Sequence, residues 1–191
     1  MKTFELKGTL RKELGKKATK AVRYAESVPC ALYGNGENIN FSVTAADVRK
    51  LIYTPQVYLV ALDIDGKKYK AVIKELQFAP VSERLLHIDF LAVTEDKPIV
   101  VALPVKLEGL AEGVKAGGKL SQEMRLLKVK GIYSDRPEQI VINVTNLGLG
   151  KRIQVSDVKL DKLTIVNPQD AMVARVKMTR AAATAAAATN E

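Results

Sequence analysis

The dipeptide Asp65-Gly66 separates two stretches of strand-like sequence, and it is the feature that most constrains the fold. Residues 57–64 before it and residues 69–78 after it are rich in β-branched and aromatic side chains, which favour strands. Asp-Gly readily adopts the positive φ angles that a two-residue turn between antiparallel strands requires. The sequence therefore predicts a β-hairpin here, in a chain that is mainly β.

Further strands and two short helices are predicted around this hairpin. Residues 4–10 alternate between apolar and polar side chains, with Gly8 at a position typical of a β-bulge. Thr44 is a candidate N-cap for a short helix that ends near Ile52. The remaining elements predicted in the first half are a helix from about residue 17 to 26 and strands at residues 30–33, 39–43 and 84–93.

The first predicted helix combines an apolar stripe with a basic surface. The apolar residues recur at helical spacing and are Ala18, Ala21, Val22 and Ala25. The cations lie mostly off that stripe and are Lys16, Lys17, Lys20 and Arg23. We therefore expect the helix to bury one side and to present positive charge on another.

The second half of the chain contains short β-branched runs separated by Gly, Pro, Asn and Asp, such as "IVVALPVKL" and "MVARVKM". This spacing predicts an antiparallel β domain, with a glycine-rich excursion over residues 108–122. The predicted organisation is a first domain over residues 1–93, a linker over 94–98, a C-terminal β domain over 99–179 and a disordered low-complexity tail over 180–191.

Positive charge is concentrated at the beginning of the chain. The 191 residues have a formal net charge of +9 and a pI near 9.6. Residues 1–23 carry six Lys and two Arg against two Glu, a net charge of +6, whereas residues 24–93 have a net charge of −1. A short basic segment attached to a nearly neutral body favours a polyanionic partner over general solubility.

The sequence also indicates the cellular compartment in which the protein is found. Its single cysteine, Cys30, excludes an internal disulfide framework and is typical of a reducing environment. The N-terminal residues lack the apolar core of a signal peptide, and no apolar run is long enough for a membrane span. We expect a cytoplasmic protein without a membrane partner.

Catalytic and cofactor sites find little support. One histidine and one cysteine cannot supply a typical zinc site, and the glycine spacings of phosphate-binding loops are absent. Cys30 and His87 could form a nucleophile–base pair only if the fold brought them together, and a buried inert thiol is the expected state of Cys30. We therefore expect no enzyme activity, no metal, no cofactor and no small-molecule substrate.

The stretch "LLHIDF" contains the only histidine of the chain. Because side chains alternate along a strand, His87 and Asp89 point to one face while Leu86, Ile88 and Phe90 point to the other. The pair is either a solvated polar pair or a hydrogen-bonding contact to a partner. A carboxylate suits an RNA surface only if it accepts from a base amino group or orients a neighbouring cation. Tyr33 could stack on a base or be buried in its strand.

Two longer motifs carry a family resemblance. "RKELGKKATKAVR…VPCALYGNG" and "LDIDGKKYKAVIKELQFAPVSERLLHIDFLAV" closely resemble the bacterial large-subunit ribosomal protein twenty-five, which binds 5S ribosomal RNA and whose longer relatives are called general stress protein CTC. The second half, with "EGVKAGGKLSQ" and "PEQIVINVTNLGLGKRIQVSDVKL", is similar to the C-terminal β domain of the long form. The resemblance covers nearly the whole chain apart from the tail.

The resemblance implies a six-stranded β-barrel with short helices that binds the loop E region of 5S rRNA. The RNA-contacting positions that it implies are Arg11, Arg23, Tyr33, His87 and Asp89, with Lys16 and Lys20 as supporting phosphate contacts. Relatives often carry consecutive arginines where this chain has Ala21, so one RNA contact is expected to be missing or replaced by lysine.

Three functions follow as hypotheses. The leading one is a structural, ribosome-associated protein of the large subunit that binds 5S rRNA and contacts other large-subunit components. An alternative is a stress-linked protein-interaction module acting through the C-terminal β domain, which has no basic cluster comparable to residues 1–23. A nuclease with His87 as general base is the third, and the lack of a second histidine argues against it.

Overall fold

The structure is a computed structural model, and it describes residues 2–34, 36–54, 56–94, 97–160 and 162–180. The chain folds into two compact units. The first comprises residues 1–99 with 132–134, and the second comprises residues 100–131 with 135–191. Residues 95 and 96 of the predicted linker, and residues 181–191 of the predicted tail, lie outside the described residues.

The first unit is a closed β-barrel of six strands with two short helices. The elements in chain order are β1 (Thr3–Leu10), α1 (Lys16–Tyr24), β2 (Ser27–Tyr33), β3 (Ile39–Thr44), α2 (Ala45–Ile52), β4 (Leu59–Ile64), β5 (Lys67–Phe78) and β6 (Leu85–Ala92). The strands follow the order β1-β3-β2-β6-β5-β4 around the barrel. The predicted fold class, mainly β with a six-stranded barrel, is confirmed.

The barrel closes through two parallel strand pairs. β1 runs parallel to β4, and β2 runs parallel to β6, whereas the other neighbouring strands are antiparallel. Asp65 and Gly66 form the turn between β4 and β5 with φ angles of 47° and 85°, as a two-residue hairpin turn requires. The hairpin predicted at this dipeptide is therefore confirmed.

Alternate residues of the strands fill the barrel. Phe41 and Phe90 are fully buried and pack with their ring centroids 5.7 Å apart. Gly8 is not a bulge, because β1 pairs with β4 in unbroken register from Thr3 to Gly8. A Cβ atom on Gly8 would lie 2.6 Å from a ring carbon of Phe41, so glycine is needed here for close approach.

Helix α1 does not bury the predicted apolar stripe. None of its residues is buried; Ala18 and Val22 are half-buried, and Ala21 is exposed. It ends at Tyr24, so Ala25 lies beyond it and is also exposed. Alanine side chains offer little area to bury, and hydrogen bonds from Arg23 connect the helix to the barrel instead.

The second unit contains two sheets of short strands. The elements that follow β6 in the chain are β7 (Ile99–Glu108), α3 (Glu112–Lys115), β8 (Lys119–Gln122), β9 (Leu126–Gly131), β10 (Ile140–Asn143), β11 (Arg152–Gln154), β12 (Thr164–Ile165) and β13 (Met172–Lys177), with 3₁₀ turns at Tyr133–Asp135 and Val155–Asp157. One sheet has the order β10-β7-β9-β12 and the other has the order β11-β13-β8. The β11-β13-β8 sheet and the β9–β12 pair are antiparallel as expected, but β10 runs parallel to β7.

The glycine-rich excursion is structured. Part of it forms α3 and β8. Gly113 approaches main-chain atoms closely, because a Cβ atom there would lie 2.6 Å from the carbonyl carbon of Gly148. Close backbone contact, rather than a long open loop, explains why glycine occurs at this position.

Candidate nucleic-acid interface

The outer surface of β6 carries the histidine–carboxylate pair. Ile88 and Phe90 are fully buried, whereas His87 and Asp89 are on the opposite face with about a quarter of each side chain exposed, 26% and 24%. Nδ1 of His87 lies 2.7 Å from Oδ1 of Asp89. The strand therefore presents an oriented imidazole next to a carboxylate that retains acceptor capacity.

Tyr33 joins this pair from the neighbouring strand. The parallel register places Ala31 beside Asp89 and Tyr33 beside Leu91, so the tyrosine is a diagonal neighbour of Asp89. The pKa of Tyr33 is raised by partial burial and then by the charges of Asp89 and Glu75. Glu75 is the cross-strand partner of Asp89 on β5, and the sequence reasoning had missed it.

Arg23 ties the basic helix to the same strand. Its Nε and Nη2 groups donate hydrogen bonds of 3.1 Å and 2.9 Å to the carbonyl of Leu86, which directly precedes His87. Arg84, also missed from the sequence, donates from Nη2 to the carbonyl of Arg23 over 3.3 Å. Two of the five N–H donors of the Arg23 guanidinium are thus committed to positioning α1 beside β6.

Arg11 lies just beyond the end of β1. Its amide donates to the carbonyl of Asn40, and its guanidinium donates from Nη2 to the hydroxyl of Thr19 over 3.1 Å. A longer contact of 3.5 Å reaches the carbonyl of Glu13. Arg11 therefore connects the barrel to the first turns of α1 and remains half-buried.

Lys16 and Lys20 are exposed on α1. The ammonium of Lys20 lies 5.6 Å from the centroid of the Tyr24 ring, a cation–π distance. Neither lysine contacts the His87–Asp89 pair in the described part of the chain, so the two supply mobile positive charge beside the strand surface rather than within it.

Cys30 does not accompany His87 as a nucleophile. Cys30 points into the barrel core and is fully buried, whereas His87 points outward, so the two cannot form a catalytic pair. Burial raises the pKa of the Cys30 thiol; the charge of Arg11 opposes this effect and that of Asp89 adds to it.

Among the described residues, no group of His, Cys, Asp and Glu could hold a metal ion. No helix within that part of the chain has the length and apolar character that crossing a bilayer requires.

The second unit has a basic surface that sequence reasoning had missed. On the β11-β13-β8 sheet, Arg152 lies opposite Arg175, and Lys177 lies opposite Lys119. Glu123 accepts from Arg175 at 2.9 Å and from Lys177 at 3.2 Å. These hydrogen bonds, with that from Ser121, lower the pKa of Glu123. The sequence feature that could have predicted this basic surface is the i, i+2 spacing of Arg175 and Lys177, which places both side chains on one face of a strand.

Two family models together match almost all of the described chain. The Ribosomal L25p family matches residues 6–90, and the C-terminal domain of ribosomal protein TL5 matches residues 98–180. The large ribosomal subunit protein bL25 of Azobacteroides pseudotrichonymphae is 55% identical over 183 residues, which cover 95% of this chain and 97% of that relative. The chain belongs to the ribosomal L25p family.

Other members of the L25p family are similarly close over nearly their full length. The bL25 protein of Porphyromonas gingivalis is 55% identical over 188 residues, covering 97% of this chain and 98% of the relative. That of Bacteroides thetaiotaomicron is 49% identical over 193 residues, covering 98% of each. The L25p family consists of structural ribosomal proteins, so the prediction that the chain is not an enzyme is confirmed.

Proposed function

We propose that this L25p-family chain is a cytoplasmic component of the large ribosomal subunit and that it binds the loop E region of 5S rRNA. The observation that carries the proposal is the partly exposed His87–Asp89 pair on β6, with the basic helix α1 held beside it by the Arg23–Leu86 hydrogen bonds. This combination provides base-reading groups and phosphate-binding groups within one surface.

The phosphate contacts come from the basic segment. Lys16 and Lys20 approach the backbone as mobile point charges, whereas the guanidinium of Arg11, held by Thr19 and Glu13 through Nη2, offers its remaining N–H donors to a phosphate or a guanine edge. Such phosphate contacts contribute affinity and orient the protein on the RNA, but they discriminate little between base sequences. Ala21 is exposed and offers no positive charge, so one phosphate or base contact is missing here or is made by a lysine instead.

The base contacts come from the strand surface. Asp89 accepts from a base amino group, such as N4 of cytosine or N2 of guanine, because a carboxylate would otherwise be repelled by phosphates. Its hydrogen bond to Nδ1 fixes the imidazole so that Nε2 of His87 is available to the RNA. Tyr33 contributes its ring as a stacking surface at the edge of the same patch.

The experiment that tests this proposal compares 5S rRNA binding by the wild-type chain and by His87→Ala. We expect about a tenfold loss of affinity, since one base contact contributes about 1–3 kcal/mol of discrimination. Lys67→Ala, an exposed cation at the β4–β5 hairpin, is the control and should bind normally. Equal affinities of His87→Ala and the wild type would contradict the assignment.

For the second unit we propose contacts with other large-subunit components. The alternative of a stress-linked protein-interaction module was motivated by the lack of a basic cluster there, and the sheet with Arg152, Arg175, Lys177 and Lys119 supplies one. Glu123 pairs with Arg175 and Lys177. Arg152 and Lys119, which lie opposite them, leave an excess of positive charge on this sheet that would attract an anionic partner.

A further inference from the structure

A cavity of about 500 Å³ lies in the barrel unit, and neither His87, Asp89 nor Tyr33 lines it. Its walls come from the end of α1, the first residues of β2, helix α2, and the connection from β5 to β6. This volume is within the range of about 300–1,000 Å³ that is typical of ligand-binding clefts.

The cavity exists because two parallel strands diverge. β2 and β6 pair from Cys30 and Ile88 onward. Before that point β2 follows β3, with Ser27 opposite Thr44, and β6 follows β5. In this gap Arg23 donates two hydrogen bonds to the carbonyl of Leu86, at one edge of the cavity.

The lining combines an apolar floor with aromatic side chains at the rim. Val28 is buried and Ile52 and Leu85 are half-buried, whereas Tyr53 is 69% exposed and Phe78 is 40% exposed. Aromatic residues and arginine are the types enriched where protein interfaces derive most of their binding energy.

The charged groups of the lining do not pair with one another. The guanidinium of Arg49 and the carboxylates of Glu26 and Glu83 make no hydrogen bond or ion pair within the part of the chain that the structure describes. The other two arginines, Arg23 and Arg84, already donate to main-chain carbonyls. Among the described residues, the cavity thus offers the unpaired guanidinium of Arg49 and two unpaired carboxylates around an apolar floor, with further N–H donors on Arg23 and Arg84.

We propose that this cavity binds an extended protein segment in which a carboxylate side chain adjoins an apolar or aromatic one. Arg49 would bind the carboxylate, the floor would bury the apolar group, and Glu26 and Glu83 would accept hydrogen bonds from peptide N–H groups. RNA fits less well, because its phosphates would approach the carboxylates of Glu26 and Glu83. The proposal rests on the proposed function, which makes the partner a protein of the large subunit.

Photo-crosslinking in assembled large subunits tests this inference. The full-length chain would carry p-benzoylphenylalanine at Tyr53, which lines the cavity, or at Tyr24, which is 73% exposed beside Lys20 and does not line it. We expect the Tyr53 position to give an adduct with a protein, resistant to ribonuclease, and the Tyr24 position to give an adduct with RNA.

Charge reversal provides the matched control. Arg49→Glu should lower the protein adduct at position 53 roughly tenfold, the loss expected for one charged hydrogen bond. Lys50→Glu, the adjacent exposed cation of α2 that does not line the cavity, should leave it unchanged. An RNA adduct at position 53, no adduct there in subunits that crosslink at position 24, or equal yields for both variants would overturn the proposal. A protein adduct at position 53 together with no RNA adduct at position 24 would support the cavity proposal and would count only against the proposed 5S rRNA interface.

Discussion

Nδ1 of His87 and Oδ1 of Asp89 are 2.7 Å apart on the outer face of β6, and this contact determines which groups the strand can offer to a partner. Because the carboxylate accepts a hydrogen bond from Nδ1 of His87, the other ring nitrogen, Nε2, is the one available to hydrogen-bond a partner. The remaining carboxylate lone pairs can accept from a base amino group. The two side chains therefore act as one recognition unit.

Asp89→Asn tests that unit with almost no change in shape. We expect its affinity for 5S rRNA to fall about tenfold, because the neutral amide replaces the charged acceptor and holds the imidazole through a weaker hydrogen bond. The free energy of unfolding should change by less than about 1 kcal/mol, since the pair is partly exposed. Filter binding and urea unfolding measure the two quantities. A loss of stability without a loss of affinity would show that the pair is structural.

Arg23→Lys tests the connection between α1 and β6. Lysine cannot reproduce the two hydrogen bonds to the carbonyl of Leu86, so we expect the free energy of unfolding to fall by about 1–2 kcal/mol and RNA affinity to fall with it. Arg49→Lys is the matched control on α2 and should change neither quantity. Identical urea midpoints for Arg23→Lys and the wild type would refute the anchoring role.

The salt dependence of RNA binding tests the part assigned to the exposed lysines. Lys16→Ala and Lys20→Ala should each reduce the slope of log affinity against log salt concentration by about 0.7–0.9, the value for one released phosphate counterion. Lys50→Ala on α2 should leave the slope unchanged. Titrations at several salt concentrations give the slopes, and an unaltered slope for both α1 variants would remove these lysines from the interface.

The reactivity of Cys30 tests the closure of the barrel. Burial raises the pKa of this thiol from its ordinary value of 9.0, and only the thiolate reacts rapidly with alkylating reagents. We expect no labelling of the native protein at mildly alkaline pH and complete labelling after denaturation. Stability should also decline as the pH rises above 9.0, because the unfolded chain then forms a thiolate that the folded barrel excludes. Rapid labelling of the native chain would mean that the core opens.

The local features of the fold could be predicted from the sequence because their causes are local. Asp65-Gly66 encodes its own turn, and the alternation around Ile88 determines which side of β6 is buried. The parallel pairs that close the barrel could not be predicted from the residue pattern, because their register depends on packing between strands distant in sequence. Only the family resemblance predicted a six-stranded barrel.

In the candidate site too, features with local causes could be predicted from the sequence and features that depend on long-range contacts could not. Strand alternation alone placed His87 and Asp89 on one face, and this was confirmed. The pairing of Arg23 with the carbonyl of Leu86 spans 63 residues and has no signature in sequence, so the arginine was expected only as an RNA contact. Glu75 was missed for a similar reason, since its position opposite Asp89 depends on the register of β5, which shifts between Ile73 and Glu75.

The measurement that tests the central claim most directly is hydroxyl-radical footprinting of 5S rRNA with the full-length chain, compared with a variant that combines His87→Ala and Asp89→Asn. The proposed interface predicts that the wild type protects one continuous region of the RNA, loop E, and that the variant loses this protection while its barrel remains folded. Protection of another region, or an identical footprint for the wild type and the folded variant, would contradict the assignment of this surface to 5S rRNA.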